Sequence, residues 1–357
     1  MAYEKARFQY RKLTKTDVFG SSKHCDISTV RGAKKIGEGA YGSVYVVKRK
    51  GSHVKIKVID NYRAGLVEFY LMELLAKMVF RSGHIALPYF MNYSCKGKMI
   101  FSSEYFDQGE LSKKRLTPSS ARGVMFQILF TLRTIQQTVP SFRHNDLHLG
   151  NIMMDDTKGR AAETYSLPWG TFKPPGGSMP FIYDLGLSNA VGYKGRYTNP
   201  LFTPGLKRDW GIYPTSDPKY DHHFFLNSMY HTAGLPKDAK AFIERHIPSL
   251  YREPGSVKVN NFRLRPGKHP GVSSIDTILR DPYWNPIKIG AKPNQVTFDG
   301  KGVKGQLAHA TSDIYAGIYP RDKITMRNKN LIKPMIQGGF FKNHPVVSEA
   351  QARKMIA

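Results

Sequence analysis

Acidic residues, cysteines and long apolar runs are what this sequence has least of. Twenty-seven Asp and Glu face fifty-four Lys and Arg, a net charge of +27. That is far above the magnitude of about 2–8 that suits a small soluble domain. Such an excess favours polyanionic surroundings: nucleic acid, an acidic protein or an anionic surface. No basic-aromatic motif of a nucleic-acid-binding module accompanies it. Cys25 and Cys95 are the only cysteines, so no disulfide framework is expected and a reducing compartment, cytoplasm or nucleus, is implied. The longest apolar stretch, residues 123–132, is interrupted by Gln127 and is too short to cross a bilayer. The first residues, MAYEKARFQYRKL, are charged and lack the apolar core of a signal peptide. What remains is a 357-residue chain with 41% hydrophobic residues, enough for a large core in two domains or one two-lobed unit.

The most informative stretch is His144-Asn145-Asp146-Leu147-His148-Leu149-Gly150-Asn151. An Asp followed five residues later by an Asn is the spacing of a phosphotransferase catalytic loop. The Asp orients or accepts the proton of the attacking hydroxyl, and the Asn holds a metal ion that neutralises phosphate charge. Read alone, it is also consistent with an ordinary polar loop.

Upstream, Gly37-Glu38-Gly39-Ala40-Tyr41-Gly42 runs into Val44-Tyr45-Val46-Val47. Glycines let backbone N–H groups approach phosphate oxygens. Because the turn leads into a strand, a hairpin over phosphates fits better than a dinucleotide-binding turn. Lys57 lies in a second alternating strand, Val54 to Ile59, and suits phosphate binding if an acid fixes its rotamer; otherwise it is one more solvated lysine. A helix over Leu66–Phe80 offers two acids. Glu68 lies at the edge of the apolar face and Glu73 nearly opposite it, so Glu68 is the chosen partner. Strands are expected over Ile85–Phe90 and Met99–Ser103, leading into the strand-to-helix junction Glu104–Leu111, a natural cleft for a flat ligand. Thr117 and Pro118 open a helix running to Gln137, with Met125, Ile128, Leu129, Leu132 and Ile135 inward. After Asn151 come a strand at Ile152–Met154, a Gly/Pro-rich stretch at Lys173–Gly177, and a strand at Met179–Tyr183. That strand delivers Asp184-Leu185-Gly186, a carboxylate placed for a second metal contact.

This ordered set resembles the protein-kinase superfamily over residues 31–285. The resemblance implies an α+β bilobal fold with a small β-rich N-lobe (31–105) and a larger helical C-lobe (106–285). A basic extension (1–30) and a basic tail (286–357) flank them. It implies ATP and Mg²⁺ as cofactors, with Gly37, Gly39, Gly42 and Val44 over the nucleotide and Lys57 on its α/β-phosphates. Glu68 would pair with Lys57, and Glu104 and Phe106 would offer hinge backbone groups to adenine. Asp146 would be the catalytic base with His148 beside it, and Asn151 and Asp184 would hold the metal.

Several residues depart from the usual pattern. Asn145 stands where most kinases carry the arginine of HRD, so control by activation-loop phosphorylation is not expected. His148 replaces the lysine usual in Ser/Thr kinases, and D-L-H-x-G-N is similar to haspin-like, aminoglycoside and choline kinases. Leu185 replaces the usual Phe, and no APE triplet follows. Tyr220–Leu226 instead suggests Asp221 as the buried acid opening the central C-lobe helix. HNDLHLGNIMM together with YDHHFFLNSMY is most similar to kinases of large nucleocytoplasmic DNA viruses. Tyr197, Thr203 and Thr215 are exposed-hydroxyl candidates, and Ser348 with Gln351 could cap a short terminal helix. The leading expectation is phosphoryl transfer to Ser/Thr hydroxyls of a protein substrate by a virus-encoded, virion-packaged kinase that meets a polyanion or capsid proteins. A pseudokinase or structural virion protein using the fold as a binding module is the first alternative. A small-molecule kinase is the second.

Overall fold

The computed structural model describes residues 13–19, 25–39, 42–78, 84–92, 97–156, 163–190, 212, 217–253, 259–260 and 262–290. The hydroxyls at Tyr197, Thr203 and Thr215, the Ser348/Gln351 cap and the basic tail beyond residue 290 lie outside them.

A short helix, α1 (Lys15–Phe19), precedes a five-stranded antiparallel sheet made of β1 (Lys34–Gly39), β2 (Gly42–Arg49), β3 (Ser52–Ile59), β4 (Pro88–Asn92) and β5 (Met99–Glu104), in the order β1-β2-β3-β5-β4. The β2–β3 turn places Lys50 at φ 47° and Gly51 at φ 82°, the positive-φ pair that matches strand twist in a two-residue hairpin. Strand alternation then divides β3 between two faces. Val54, Ile56 and Val58 pack with Leu13, Val18, Phe19, Ile27 and Val30. Lys55, Lys57 and Ile59 therefore face the other way, towards the helix α2 (Tyr62–Met78) and the second lobe. The stretch described within residues 13–30, expected only as a basic extension, thus contributes to the small-lobe core. Its five apolar side chains are too widely spaced to produce a helical or strand pattern.

Helix α2 begins four residues earlier than its apolar stripe suggested, because Asn61 accepts from Ala64 N–H and starts the first turn. The strand expected from Ile85 forms only from Pro88; Ile85 instead bridges in parallel to Ile182 of the second lobe. Cys25 is disulfide-bonded. This corrects the expectation of a chain without cross-links and removes its argument for a reducing compartment. Two cysteines carry no spacing pattern from which pairing can be read.

The second lobe is built on α3 (Pro118–Thr138). Thr117 and Ser120 form a reciprocal capping box, Pro118 occupies the first turn, and all five expected core residues are fully buried. Around it lie β6 (Phe142–Arg143), β7 (Ile152–Asp156), the hairpin β8 (Tyr165–Leu167) with β9 (Gly170–Phe172), β10 (Ser178–Ile182) and β11 (Asn189–Ala190). β7 pairs with β10 and β6 with β11, both antiparallel. These two ribbons bracket the octet 144–151 and the triplet 184–186. Helices α4 (Tyr220–Tyr230), α5 (Lys237–His246) and α6 (Ile275–Ile278), the hairpin β12 (Val259–Asn260) with β13 (Arg263–Leu264), and β14 (Lys288–Gly290) complete the lobe. β14 pairs with β9. The α+β, two-lobed architecture is the expected one.

Candidate active site

The site is assembled from four separate stretches of chain. Lys57 on β3 donates to Glu68 of α2 at 2.8 and 3.0 Å and to Asp184 at 2.8 Å. Glu68 is the partner chosen from its place at the edge of the apolar face, and its side chain is 1% exposed. Asp184 sits at φ 59°, a left-handed conformation that costs a non-glycine residue about 1–3 kcal/mol and clusters at functional sites. Gly186 donates its N–H to Asp184 Oδ1 at 3.2 Å. A Cβ on Gly186 would lie 3.0 Å from that oxygen and 3.4 Å from Glu68 Oε2, so a side chain there would crowd both carboxylates.

The octet folds into a second cluster. Asn151 donates through Nδ2 to Asp146 O at 2.8 Å and to Asp146 Oδ2 at 3.1 Å. Its amide oxygen is the atom left to meet a cation. His148 Nε2 lies 3.6 Å from Asp146 Oδ2, while its Nδ1 accepts from Gly150 N–H. Buried His144 joins the two clusters: its Nε2 donates to Tyr183 O at 3.0 Å and its Nδ1 accepts from Asp146 N–H at 3.2 Å. Asp221, at the start of α4, accepts the N–H groups of His144 at 2.7 Å and Asn145 at 3.0 Å. That is the buried acid expected there. It holds Asn145 at φ 66°, and the Asn145 amide donates to Leu187 O.

The glycine-rich stretch forms the end of the β1–β2 hairpin, with Gly39 opposite Gly42 and Val44 opposite Lys57. Gly42 is fixed by packing: it adopts φ 151°, and a Cβ would come within 1.9 Å of Val58 O. Gly39 has open space where a Cβ would be, which leaves room there for an approaching ligand. At the end of β5, Glu104 donates its N–H to Leu87 O and accepts Leu87 N–H on its carboxylate. Of its backbone groups, it is the carbonyl that could serve a base. Phe106 stacks on Phe181 with ring centroids 4.6 Å apart, which fixes its backbone at the lobe junction.

Residues 30–205 match the family model of the protein kinase domain. Those residues make up a protein kinase domain. Over 152 residues it is 29% identical to a protein assigned as a serine/threonine-protein kinase of Acanthamoeba polyphaga mimivirus, a match covering 38% of this chain and 32% of that protein. It is 26% identical over 136 residues to chitin elicitor receptor kinase 1 of Arabidopsis thaliana, covering 34% and 20% of the two chains. A LysM domain receptor-like kinase of Medicago truncatula gives 28% over 145 residues, covering 36% and 22%. The matched segments thus span a third or less of these relatives' lengths. The solved structure of the Cydia pomonella granulovirus kinase is 19% identical, with a TM-score of 0.40, covering 71% of this chain and 94% of that one.

The electrostatics suit a kinase cleft. Burial opposes the charge on Lys57, but Asp184 and Glu68 outweigh it and hold its pKa well above the usual lysine value. Burial pushes Glu68 up to about 7 against the attraction of Lys57. Burial would also raise Asp146; the neighbouring His148 and the charge of Arg263 overcome it and hold the carboxyl at about 2. Asp146 is therefore a weak proton sink and a strong orienting acceptor, as a reaction dominated by positioning requires. Asp184 and Asn151 offer hard oxygen donors. That is the modest set on which Mg²⁺ relies when phosphates and water complete its octahedron. Among the described residues no cluster of three or more His, Cys, Asp or Glu could hold a metal by itself, and no helix is long and apolar enough to cross a membrane.

Sequence reasoning missed three members of the site. Lys55 is buried with its ammonium 2.9 Å from the centroid of the Tyr183 ring. Alternation along β3 was the available signal, since it places Lys55 on the face of Lys57. Tyr183, the floor of that contact, carries no signal in the sequence beyond its place at the end of an expected strand. Arg263 forms an ion pair with Asp146 Oδ1; it lies 117 residues downstream, where no local pattern marks it.

Proposed function

We propose that this chain is an ATP- and Mg²⁺-dependent protein kinase that transfers phosphate to Ser or Thr hydroxyls. The observation that carries the reading is the convergence of Lys57, Glu68 and Asp184 within 2.8–3.0 Å, beside an Asp146 already oriented by Asn151. Phosphoryl transfer needs positioned charge more than covalent chemistry. In this reading Lys57 holds the α/β-phosphates and Asn151 and Asp184 hold the metal that neutralises charge at the transferred group. Asp146 orients the acceptor hydroxyl, with His148 beside it. Gly37, Gly39, Gly42 and Val44 cover the nucleotide, while Glu104 and Phe106 meet its base.

The test is transfer of labelled phosphate to a panel of basic and acidic proteins, followed by phosphoamino-acid analysis. Asp146→Ala should lose about 10²–10⁴ in rate. Equal transfer by that variant would refute the assignment, and phosphotyrosine as the product would refute its Ser/Thr part.

One observation favours a second reading, a binding module without catalysis. The family form V-A-I-K is Val54-Lys55-Ile56-Lys57 here, and a buried ammonium replaces a methyl group inside the nucleotide-facing side of the sheet. Melting with ATP and Mg²⁺ separates the two readings, because a ligand of the folded state at 100 times its Kd stabilises by about 2.7 kcal/mol. An unchanged melting temperature at millimolar nucleotide would favour the binding module.

On the viral relative and the +27 charge, we further propose a virus-encoded kinase packaged in the virion against a polyanion or capsid protein. Peptide mass spectrometry of purified virions would test this, and absence of the chain would refute it.

A further inference from the structure

Four non-glycine residues among those described have positive φ: Lys50, Asn145, Asp184 and Phe262. Lys50 belongs to a hairpin turn, and Asn145 and Asp184 belong to the site already described. Phe262, at φ 64°, has no such account. It lies in the turn between β12 and β13, where Asn260 pairs with Arg263. Strain of this kind persists only where the surroundings impose it, and here they are visible. Asn227 of α4 donates to Phe262 O at 3.3 Å, and the His231 and Phe262 rings lie 4.9 Å apart.

The strained turn delivers the next residue, Arg263, into the octet. Its side chain is 6% exposed. The guanidinium donates through Nη2 to Asp146 Oδ1 and through Nε to Asn145 O at 3.4 Å, and it lies 4.5 Å from the Phe224 ring centroid. One planar group thus grips the carboxylate of Asp146 and the peptide of its strained neighbour. A lysine, with a single point charge, could not hold both in that fork. Asp146 Oδ2 is turned towards Asn151 and His148, and His148 is a cation only when protonated. The helix that carries Phe224 and Asn227 is also the one whose Asp221 holds the backbone of His144 and Asn145. The octet is therefore gripped from α4 by its backbone and from the α4-anchored hairpin by its side chain.

We propose that Arg263 is a positioning residue for phosphoryl transfer, fixing the rotamer of Asp146 so that its carboxylate meets the acceptor hydroxyl. This rests on the kinase reading above. A misplacement of about 1 Å near reacting atoms costs about 100-fold in rate. Arg263→Ala should therefore lower kcat by about that factor while KM for ATP changes less than about twofold. Arg263→Lys keeps the charge without the fork and should fall between wild type and Arg263→Ala. Free guanidinium ion should restore part of the kcat of Arg263→Ala and none of that of Asp146→Ala.

If Arg263→Ala does not fold, Arg263→Lys against Arg263→Gln decides; equal kcat in that pair would overturn the proposal. So would an Arg263→Ala with wild-type kcat, or with a raised kcat, which would make the ion pair an inhibitory latch. A loss in Arg263→Ala that neither lysine nor guanidinium relieves would mean a structural role and overturn it as well. A wild-type chain without phosphotransfer sinks the kinase reading itself. An active wild type with an unimpaired Arg263→Ala sinks only the role of Arg263.

Discussion

At the residue scale, Lys55 and Lys57 show how two identical side chains two positions apart acquire opposite characters. Both leave β3 on the same face into the cleft, Lys55 buried and Lys57 partly buried. Lys57 meets two carboxylates and is held charged. Lys55 meets an aromatic face; burial, and secondarily the charge of Lys57, lower its pKa well below the usual lysine value. A desolvated amine over a tyrosine ring gains cation–π attraction, worth about 2 kcal/mol when desolvated, but it lacks the carboxylate that would offset the loss of water. Replacing buried charge by apolar groups of similar volume is often stabilising by about 1–4 kcal/mol. Lys55→Met should accordingly raise the urea midpoint without changing the slope of the unfolding transition, whereas Lys57→Met should lower it by leaving Glu68 and Asp184 uncompensated. A destabilised Lys55→Met would mean that the Tyr183 contact outweighs the desolvation.

At the scale of elements, α4 is buried through almost its whole length, from Tyr220 to Asn227, and it carries two histidines in that span. His222 Nε2 donates to Ser273 O at 3.0 Å and His223 Nε2 to Tyr251 O at 2.7 Å. Carbonyl partners fix the proton on Nε2 and by themselves favour the charged ring; burial is what opposes it. Burial lowers the two pKa values to about 4 and about 3 from an ordinary 6.5. The sign follows: above pH 6.5 the rings are neutral folded or unfolded, and they add no pH dependence. Below 6.5 the unfolded chain takes up protons that the folded chain refuses. Stability then falls by about 1.4 kcal/mol per pH unit for each ring until its folded pKa is reached. Unfolding free energy measured from pH 7 to 4.5 should drop with a slope near two protons, and His222→Gln should remove about one of them. An unchanged slope in that variant would place the acid sensitivity elsewhere. The same helix shows what could be read without a structure. Asp221 was legible because its role depends on place in a motif. The core face of α3 was legible because its apolar positions repeat with the helical period. Arg263, Phe262 and the β8–β9 hairpin were not, since their meaning comes from contacts made more than a hundred residues away or from strands only two or three residues long. Glu68 could be chosen over Glu73 by rotation about a helix axis. Lys55 is legible in the same way, since strand alternation puts it on the face of Lys57 two positions on.

At the scale of the whole molecule, most of the +27 charge lies upstream of residue 291. Beyond residue 290 there are eleven Lys and Arg against four Asp and Glu, so that segment accounts for +7 and leaves most of the excess upstream. Within the described residues some of it converges. Arg143, Lys219, Arg265 and His269 line one cavity of about 340 Å³ beside the start of α4, with Asp217 as the acid among them. Asp217 is itself paired with His269 at 3.0 Å, so the side chains of Lys219 and Arg265 contribute positive charge at that mouth. Binding of a polyanion by such a surface is driven by counterion release, and log K should fall linearly with log salt by about 0.9 for each duplex phosphate neutralised. Full-length protein titrated with a fluorescent duplex from 50 to 300 mM salt should show a steep slope that does not depend on base sequence. Reversing Lys219 and Arg265 to Glu should flatten that slope by about one phosphate for each side chain, and it should do so without altering the ATP-induced thermal shift, because neither residue belongs to the cleft. A slope left intact by both reversals would assign the polyanion contact to the remaining basic surface, and an affinity indifferent to salt would remove the electrostatic argument altogether.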